Sequence, residues 1–318
     1  MTPAQLRAYV AVVRTGSVKQ AAAQLEVSES AISLHIAQLR KEFGDRLFSR
    51  TSVGLAFTPG GLRLASRAAE LLGLQDRTVA EVNAAARGRR LLRVAASSMF
   101  AELAAPGLIE LFTKRAADLD VELSVRSPRS FETLLLTRAA DLAIGPQAPV
   151  VDQAIVSRPV MNYRLVIVVG PDHPLAGQRA SAAQLREQTW LLGPSAATEQ
   201  GAVQAMLRRL AVPDDRQQIF QSHAAALGEA KRGKGVAPAL SFTVAPEVRT
   251  GHLVLLDGPH TTVEAVWHSL VLTGPGALSA AAELSRFACT SRAIQAMMRG
   301  TGVSLGHFRP AVHVTLWS

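Results

Sequence analysis

A single cysteine, Cys289, is present in a chain of 318 residues. No intrachain disulfide can form, and a reducing cytoplasm is the expected compartment. Long apolar runs are missing too. The longest, such as Leu165–Val169, are strand-sized and far short of a bilayer span, so no membrane association is expected. The first ten residues carry Arg7 and no sustained apolar core, which excludes a secretory signal there. The eight histidines are scattered without metal-ligand spacing, and there is no phosphate-binding glycine loop. No metal site, cofactor or catalytic residue is therefore expected. One motif looks catalytic: Gly302-Val303-Ser304-Leu305-Gly306 matches Gly-x-Ser-x-Gly. That elbow requires an acid and then a histidine downstream. Only twelve residues follow Gly306, with His307 and His313 but no acid, and the match is read as chance. Aromatic residues amount to only 5%, while alanine and leucine are abundant, which favours helices.

What is there in quantity is ordinary for a globular protein of about two domains: 48% hydrophobic and 19% charged residues. The formal net charge is +9, and its position is informative. The first 90 residues hold 13 basic and 7 acidic residues, so six of the nine excess charges fall there. A basic N-terminal segment suits a polyanionic partner.

Thr2-Pro3 opens a helix with a capping hydroxyl and a first-turn proline, and Leu6, Tyr9, Val10 and Val13 give it one apolar face. Gly16 ends it. Ser17-Val18-Lys19-Gln20 reads as a capping box for a second helix carrying Ala21, Ala22 and Leu25. Ser28 caps a third helix that runs to Phe43, with Gly44 as a left-handed stop. Two short helices across a tight turn, with alanines at the crossing, form a helix-turn-helix pattern. Ala31, Ile32, Ile36, Leu39 and Phe43 are expected to face inward, which leaves Glu29, Ser30, Ser33, Leu34 and His35 outward near the amino end.

From Leu6 through Gly16-Ser17, Ala21-Ala22, Leu25, Val27-Ser28, Ser30-Ala31-Ile32-Ser33, Ile36, Leu39, Gly44, Leu47-Phe48, Arg50 and Thr58-Pro59-Gly60-Gly61, the chain resembles the LysR-type transcription regulators. The resemblance implies a winged helix-turn-helix whose third helix enters the major groove of double-stranded promoter DNA. Carried over by position, Glu29, Ser30, Ser33, Leu34 and His35 are the base readers. Ser17, Ser28, Lys41, Arg50 and Thr51 complete the DNA-binding set, largely at phosphates. Three positions depart from the family: Glu29 stands where glutamine is commoner, Val53-Gly54 fill a wing position that is often basic, and Arg40 replaces the usual glutamate. A carboxylate accepts from cytosine N4 but cannot pair with adenine as an amide does, so site preference is affected rather than DNA binding.

A long helix is expected from Thr58-Pro59 to about Arg87-Gly88. Leu62, Ala65, Ala69, Leu72, Val79 and Ala86 form a seam for a second helix. The resemblance implies that this helix joins subunits into a homodimer or homotetramer. Beyond Gly88-Arg89-Arg90, strands alternate with helices: strands at Leu91–Ala96, Val121–Val125, Asp141–Gly145, Tyr163–Val169, Trp190–Leu192, Ile219–Gln221 and Trp267–Thr273. Helices are expected from Ser97-Ser98 through Phe112, over Ser130–Leu136, Ala182–Glu187, Glu199–Leu210 and Ala224–Arg232, and over Leu278–Ile294. This is the order of an α/β sheet. It is similar to the two-lobed, periplasmic-binding-protein-like effector domain of the same family. The chain is expected to pass between lobes near Met161-Asn162 and near Val263–Ala265.

The expected organisation is a multidomain α+β and α/β chain. Residues 1–58 form the winged helix-turn-helix, 59–89 the linker helix and hinge, and 90–300 the effector domain. Within the last, lobe I is 91–162 plus 266–300 and lobe II is 163–265. Residues 301–318 are a C-terminal extension in which Val312, Val314 and Leu316 alternate as a strand does. Ligands in such folds sit between the lobes at strand carboxyl ends. The expected lining is Ser97, Ser98, Met99, Ser130, Phe131, Pro146, Ser195, Thr198, His223 and Val236, with Arg129 and Lys234 nearby. Hydroxyl and amide donors predominate, so a small anionic effector is expected. The competing reading is a small-molecule binding protein or enzyme with an incidental helical N-terminus.

Overall fold

Thr2 and Gln5 lock the start of the first helix, α1 (Pro3–Thr15): the Thr2 hydroxyl accepts from the Gln5 amide while the Gln5 side chain accepts from the Thr2 amide. The computed structural model describes residues 1–51, 54–86, 88–147, 152–198, 201–274, 278–299 and 308–310. They divide into two compact units, one of Met1–Ala86 with Leu136–Ala139, the other of the remaining chain.

In the first unit α1 ends on Gly16 in the left-handed region, φ 64°. α2 (Val18–Leu25) follows, and α3 (Glu29–Phe43) ends on Gly44 at φ 62°. Ser17 caps α2 through the Gln20 amide, but the expected return bond is not formed: the Ser17 amide donates to Thr15 Oγ1 instead, at 3.3 Å. Ala21 and Ala22 are buried in the core that α2 shares with α1 and α3. Ile32, Ile36 and Leu39 bury one face of α3. Phe43, expected inward, is 47% exposed, because it lies in the last turn beyond the packed core.

A two-stranded wing, β1 (Phe48–Thr51) and β2 (Gly54–Phe57), pairs antiparallel. α4 (Pro59–Ala85) then begins on Thr58, whose hydroxyl accepts from the Gly61 amide and donates to Asp45. The Thr58-Pro59-Gly60-Gly61 motif thereby acquires a physical reason. A side chain on Gly61 would clash with the Leu47 carbonyl, and one on Gly60 with the Asp45 carboxylate. The Tyr9 hydroxyl closes the joint by donating to the Gly61 carbonyl at 2.9 Å. Burial, reinforced by Asp45 and opposed by Arg40, pushes its pKa up to about 12, so it stays a donor. On α4, Leu62 and Val79 of the expected seam are exposed, but Leu72 is half-buried. Leu71, Leu74, Thr78 and Val82 instead form an exposed stripe at steps of three and four.

In the second unit β3 (Arg90–Ala96) lies between β4 (Leu119–Val125) and β5 (Leu142–Pro146), all parallel. The helix expected over 97–112 is two helices, α5 (Ser98–Leu103) and α6 (Ala105–Thr113). Ala104 leaves helical geometry and Pro106 lies in the first turn of α6, where its missing amide costs nothing. A 3-10 turn, Pro128–Ser130, leads into α7 (Phe131–Leu136).

The strand expected at 163–169 is the end of a 15-residue strand, β6 (Ile155–Val169). Its partner β11 (Thr262–Leu272) is likewise longer than the expected 267–273. The two pair antiparallel from Thr262↔Val166 to Leu272↔Ile155, with an irregularity at Trp267/His268 opposite Pro159–Met161. The exposed stretch Val156–Pro159 breaks the apolar pattern that would have revealed the full strand. Both expected crossing points, Met161-Asn162 and Val263–Ala265, lie on this ladder. β11 also pairs with β5, so the ladder joins a first lobe around β3–β5 to a second lobe.

The second lobe contains α8 (Ala182–Glu187), the parallel pair β7 (Trp190–Leu192) and β8 (Gln217–Ile219), α9 (Ser195–Thr198), α10 (Ala202–Leu210) and α11 (His223–Lys231). It also holds three elements missed in the sequence: β9 (Ala237–Leu240), α12 (Ser241–Arg249) and β10 (Val254–Leu255). β9 and β10 both pair with β6. The last helical segment is again two, α13 (Ser279–Ala288) and α14 (Ser291–Arg299). β12 (Phe308–Pro310) pairs parallel with β4. The remainder of the extension, including Gly302–Gly306 and the alternating 312–316 segment, lies outside the described residues.

Gly61→Val should lower the thermal stability of the first unit by ~1–3 kcal/mol, because backbone rather than a mobile side chain fills the space. Gly228→Ala, within α11 and meeting only the Arg232 guanidinium among the described residues beyond its own helix backbone, should instead raise stability by ~0.5–1 kcal/mol. Calorimetry on both variants measures the contrast.

Candidate functional site

The amino end of α3 is built for presentation. Ile32, Ile36 and Leu39 anchor the helix, and Ser28 caps it through the Ala31 amide at 3.2 Å while contacting Ser30 Oγ at 2.8 Å. Glu29, Ser30, Ser33 and Leu34 are then exposed, Leu34 to 58%. An exposed leucine among hydroxyls and a carboxylate matches the mixed apolar and polar edge of a base pair in the major groove. His35 is half-buried, and its Nδ1 has no hydrogen-bond partner among the described residues. Ser17 is half-buried at the start of α2, and Lys41 is exposed in the last turn of α3. The side chains of Arg50 and Thr51 lie outside the described part of the wing. Arg40, the family departure on α3, ties that helix to the wing. Its guanidinium donates to the Phe48 carbonyl at 2.8 Å and lies 4.6 Å from the centre of the Phe48 ring.

In the second unit a small cavity lies beside the β6–β11 ladder. Ser97, Met99, Pro146 and Ser195, all expected in the cleft, line it together with Tyr163, Gly201, Ala202, Val203 and Trp267. Its volume of about 20 Å³ has room for about one water molecule. Trp267 stacks on Tyr163 with ring centres 4.5 Å apart and meets Phe100 edge-on at 5.0 Å. Three of the fifteen aromatic residues thus meet here, and burial pushes the Tyr163 phenol up to about 12. The Ser97 hydroxyl and the Trp267 indole N–H are buried without a protein partner among the described residues.

Other expected lining residues lie elsewhere. Phe131 is fully buried against Gly145, and Val236 is buried at a bridge to Trp190. Ser130 Oγ donates to the Ser127 carbonyl, and Arg129 is exposed. Ser98 is buried and is not among the cavity-lining residues, and the Thr198 side chain lies outside the described residues.

His223 connects to the cavity through Ser195. Its Nε2 is 2.9 Å from Ser195 Oγ and its Nδ1 is 2.7 Å from Glu102 Oε2. A carboxylate only accepts, so Nδ1 carries the proton, and in the neutral ring Nε2 accepts from the Ser195 hydroxyl. Glu102 also accepts from the His223 and Ala224 amides, each at 2.9 Å. Burial pushes the Glu102 carboxyl upward. The hydrogen bonds and charge of His223, with the two amides, outweigh it and leave the pKa below the ordinary 4.5. Gly193 makes room for the ring, because any side chain there would strike the imidazole. Sequence reasoning missed Glu102, which pairs with a residue 121 positions away. Tyr163 and Trp267 carried a usable signal as rare aromatics close to the lobe crossing.

A serine–histidine–carboxylate order resembles a hydrolase relay. Here the serine faces a cavity far smaller than the 300–1,000 Å³ of ordinary ligand sites. The Cys289 thiol lies 3.2 Å from the Pro159 carbonyl, and burial, partly offset by Arg158, raises its pKa, which disfavours the nucleophilic thiolate. Among the described residues no cluster of potential metal ligands occurs, and no helix is long and apolar enough to cross a membrane.

A presented recognition helix beside a wing, followed by a two-lobed α/β module with an interlobe cavity, defines a DNA-binding regulator with an effector domain. The family model for the bacterial regulatory helix-turn-helix protein, LysR family, matches residues 3–62, and the LysR substrate binding domain matches residues 85–288. An uncharacterised HTH-type transcriptional regulator of Mycobacterium tuberculosis is 54% identical over the full length of both chains. The RuBisCO operon transcriptional regulator of Allochromatium vinosum is 29% identical, over 91% of this chain and 96% of its own. Among solved structures, ArgP from Mycobacterium tuberculosis has a TM-score of 0.57 at 19% identity, covering 90% of this chain and 97% of its own. Full-length CbnR in complex with its target DNA has a TM-score of 0.56 at 20% identity, over 91% and 100%. The chain belongs to the LysR family of bacterial helix-turn-helix transcriptional regulators.

Because Glu102 is held below its ordinary pKa, its stabilising contribution is present above about pH 4.5 and is lost as pH falls through the folded value. Glu102→Gln should therefore melt below the wild type at pH 7, and the gap should narrow on acidification below about pH 4.5. Paired thermal melts from pH 7 to 3.5 measure it.

Proposed function

We propose that this regulator binds its operator as a cytoplasmic homodimer or homotetramer, reads base edges with Glu29, Ser30, Ser33, Leu34 and His35, and responds to a small anionic effector held between the lobes. The observation that carries the DNA reading is the capped, exposed amino end of α3, anchored from behind by Ile32, Ile36 and Leu39. Ser17, Lys41, Arg50 and Thr51 fix register on the phosphates, and Ser28 completes the DNA-binding set as the cap of α3. The working division is 1–58 for DNA binding, 59–89 for assembly, 90–300 for sensing (lobe I 91–162 plus 266–300, lobe II 163–265) and 301–318 as an extension.

Support for an anionic effector comes from the cavity: the Ser97 hydroxyl, the Trp267 indole N–H and the amino end of α10 at Gly201, which has no side-chain cap, line it, with no carboxylate among the lining residues. Support for assembly comes from the exposed Leu71, Leu74 and Val82 on α4. Effector binding would favour one arrangement of subunits and so alter the spacing of paired recognition helices.

Glu29→Gln should change operator preference at one base pair, with ~1–3 kcal/mol of discrimination, and leave the fold intact. Binding to single-base operator variants tests it, and an unchanged profile would place the recognition surface elsewhere. Leu71→Asp should give smaller particles in light scattering and weaken operator binding by on the order of 10²-fold, as two half-sites cease to be bound together. Normal mass with normal affinity would contradict assembly through this stripe.

A further inference from the structure

We propose that the amino end of α11 is a carboxylate-binding subsite of the sensor and that Glu102 fills it in the ligand-free chain, so that an effector carboxylate competes with the chain's own. The inference rests on the effector reading above and deepens it by naming the ligand group and the donors that take it.

The first four amides of α11 all have acceptors. His223 and Ala224 donate to the two oxygens of Glu102. The third, Ala225, donates to the Ser222 hydroxyl, and the fourth, Ala226, to the Ser222 carbonyl. Ser222 is the resident cap, so α11 would start without Glu102. The Glu102 carboxylate is an addition from outside the helix. It comes from α5, in the first lobe, whereas every donor it meets lies in the second.

Three donors converge on this carboxylate: two amides and the His223 Nδ1–H. The ring is 9% exposed and Glu102 27%, so the bonds are shielded in part from water. Such charge-assisted bonds are the strong class, and a carboxylate at a helix amino end gains from the dipole as well. The site is also continuous with the cavity, because the same imidazole bonds Ser195, which lines it. The Ser97 hydroxyl, which lines the same cavity and is 4% exposed, has no partner among the described residues. A second buried polar group is thus available to an occupant.

The size of the cavity supplies the remaining step. At about 20 Å³ it admits no metabolite until the lobes separate. Separation carries Glu102, on the first lobe, away from donors on the second. Those donors are then left to water, which supplies neither the charge nor the paired oxygens of the lost carboxylate. An effector carboxylate recovers the same bonds, and its apparent affinity is lowered by the fraction of molecules in which Glu102 keeps the seat. Removal of Glu102 should accordingly turn a self-occupied site into an open one.

The test uses the full-length chain and acetate as the probe. Amide hydrogen exchange is followed at His223 and Ala224 in the wild type and in Glu102→Ala. The expected result is exchange about tenfold faster or more at both amides in the variant, with saturable recovery of protection on adding acetate. Chloride at matched ionic strength should not restore it, and acetate should leave the wild type unchanged. Unaltered exchange in the variant, or lost protection that acetate does not restore, overturns the proposal. Should Glu102→Ala fail to fold, Glu102→Gln is read in its place. It loses one acceptor oxygen, so at least one of the two amides must exchange faster, and no change at either overturns the proposal. These measurements involve no DNA. A chain that behaves as expected here yet ignores every operator contradicts the regulatory reading alone.

Discussion

The antiparallel ladder between β6 and β11 is the constraint on which the effector module depends. Fifteen residues of one strand and eleven of the other run from the first lobe into the second. β5 attaches to β11, and β9 and β10 attach to β6, so each lobe hangs from the same pair of strands. Backbone hydrogen bonds supply the connection, leaving the side chains on the ladder free to line the cavity. Trp267 and Tyr163 use that freedom by stacking where the lobes meet. Their large contact area is placed where two lobes must share a core.

The first unit solves a different problem with shorter-range means. Three helices and a wing must hold one helix end outward on a small core. Alanines at the α1–α2 crossing let the backbones approach, and caps at Thr2, Ser17, Ser28 and Thr58 satisfy helix amides locally. Asp45, Thr58, Gly61 and Tyr9 then form a hydrogen-bonded joint between the wing and α4. Arg40 adds a charge-assisted bond and a ring contact at Phe48, which explains why a positive residue is accommodated on that turn.

The interlobe cavity and the Glu102–His223–Ser195 chain belong together because one imidazole bonds both Glu102 and a serine that lines the cavity. The hydroxyl that lines the cavity is oriented by a ring that is itself oriented by a carboxylate from the other lobe. Chemically this is a positioning chain in a regulator, with its serine turned toward a space for one small molecule of solvent.

Much of the first unit was legible in the sequence, because its determinants are local: caps, left-handed glycines, alanines at a crossing, and apolar positions at helical spacing. The family resemblance rested on the same residues. Phe43 misled because periodicity alone does not say where the packed core ends. In the second unit, strands and helices were legible wherever pattern and breakers agreed, as at Trp190–Leu192 and Ala182–Glu187. They were not where a polar, proline-bearing stretch such as Ser157–Pro159 continued a strand held by partners more than a hundred residues away, at His268–Leu270. That Ser97, Met99, Pro146 and Ser195 would line one cavity could be anticipated, because strand ends and helix starts are sequence features. Glu102 could not, since hydrogen bonds across 121 residues follow from how the lobes close, and only the tertiary structure decides that.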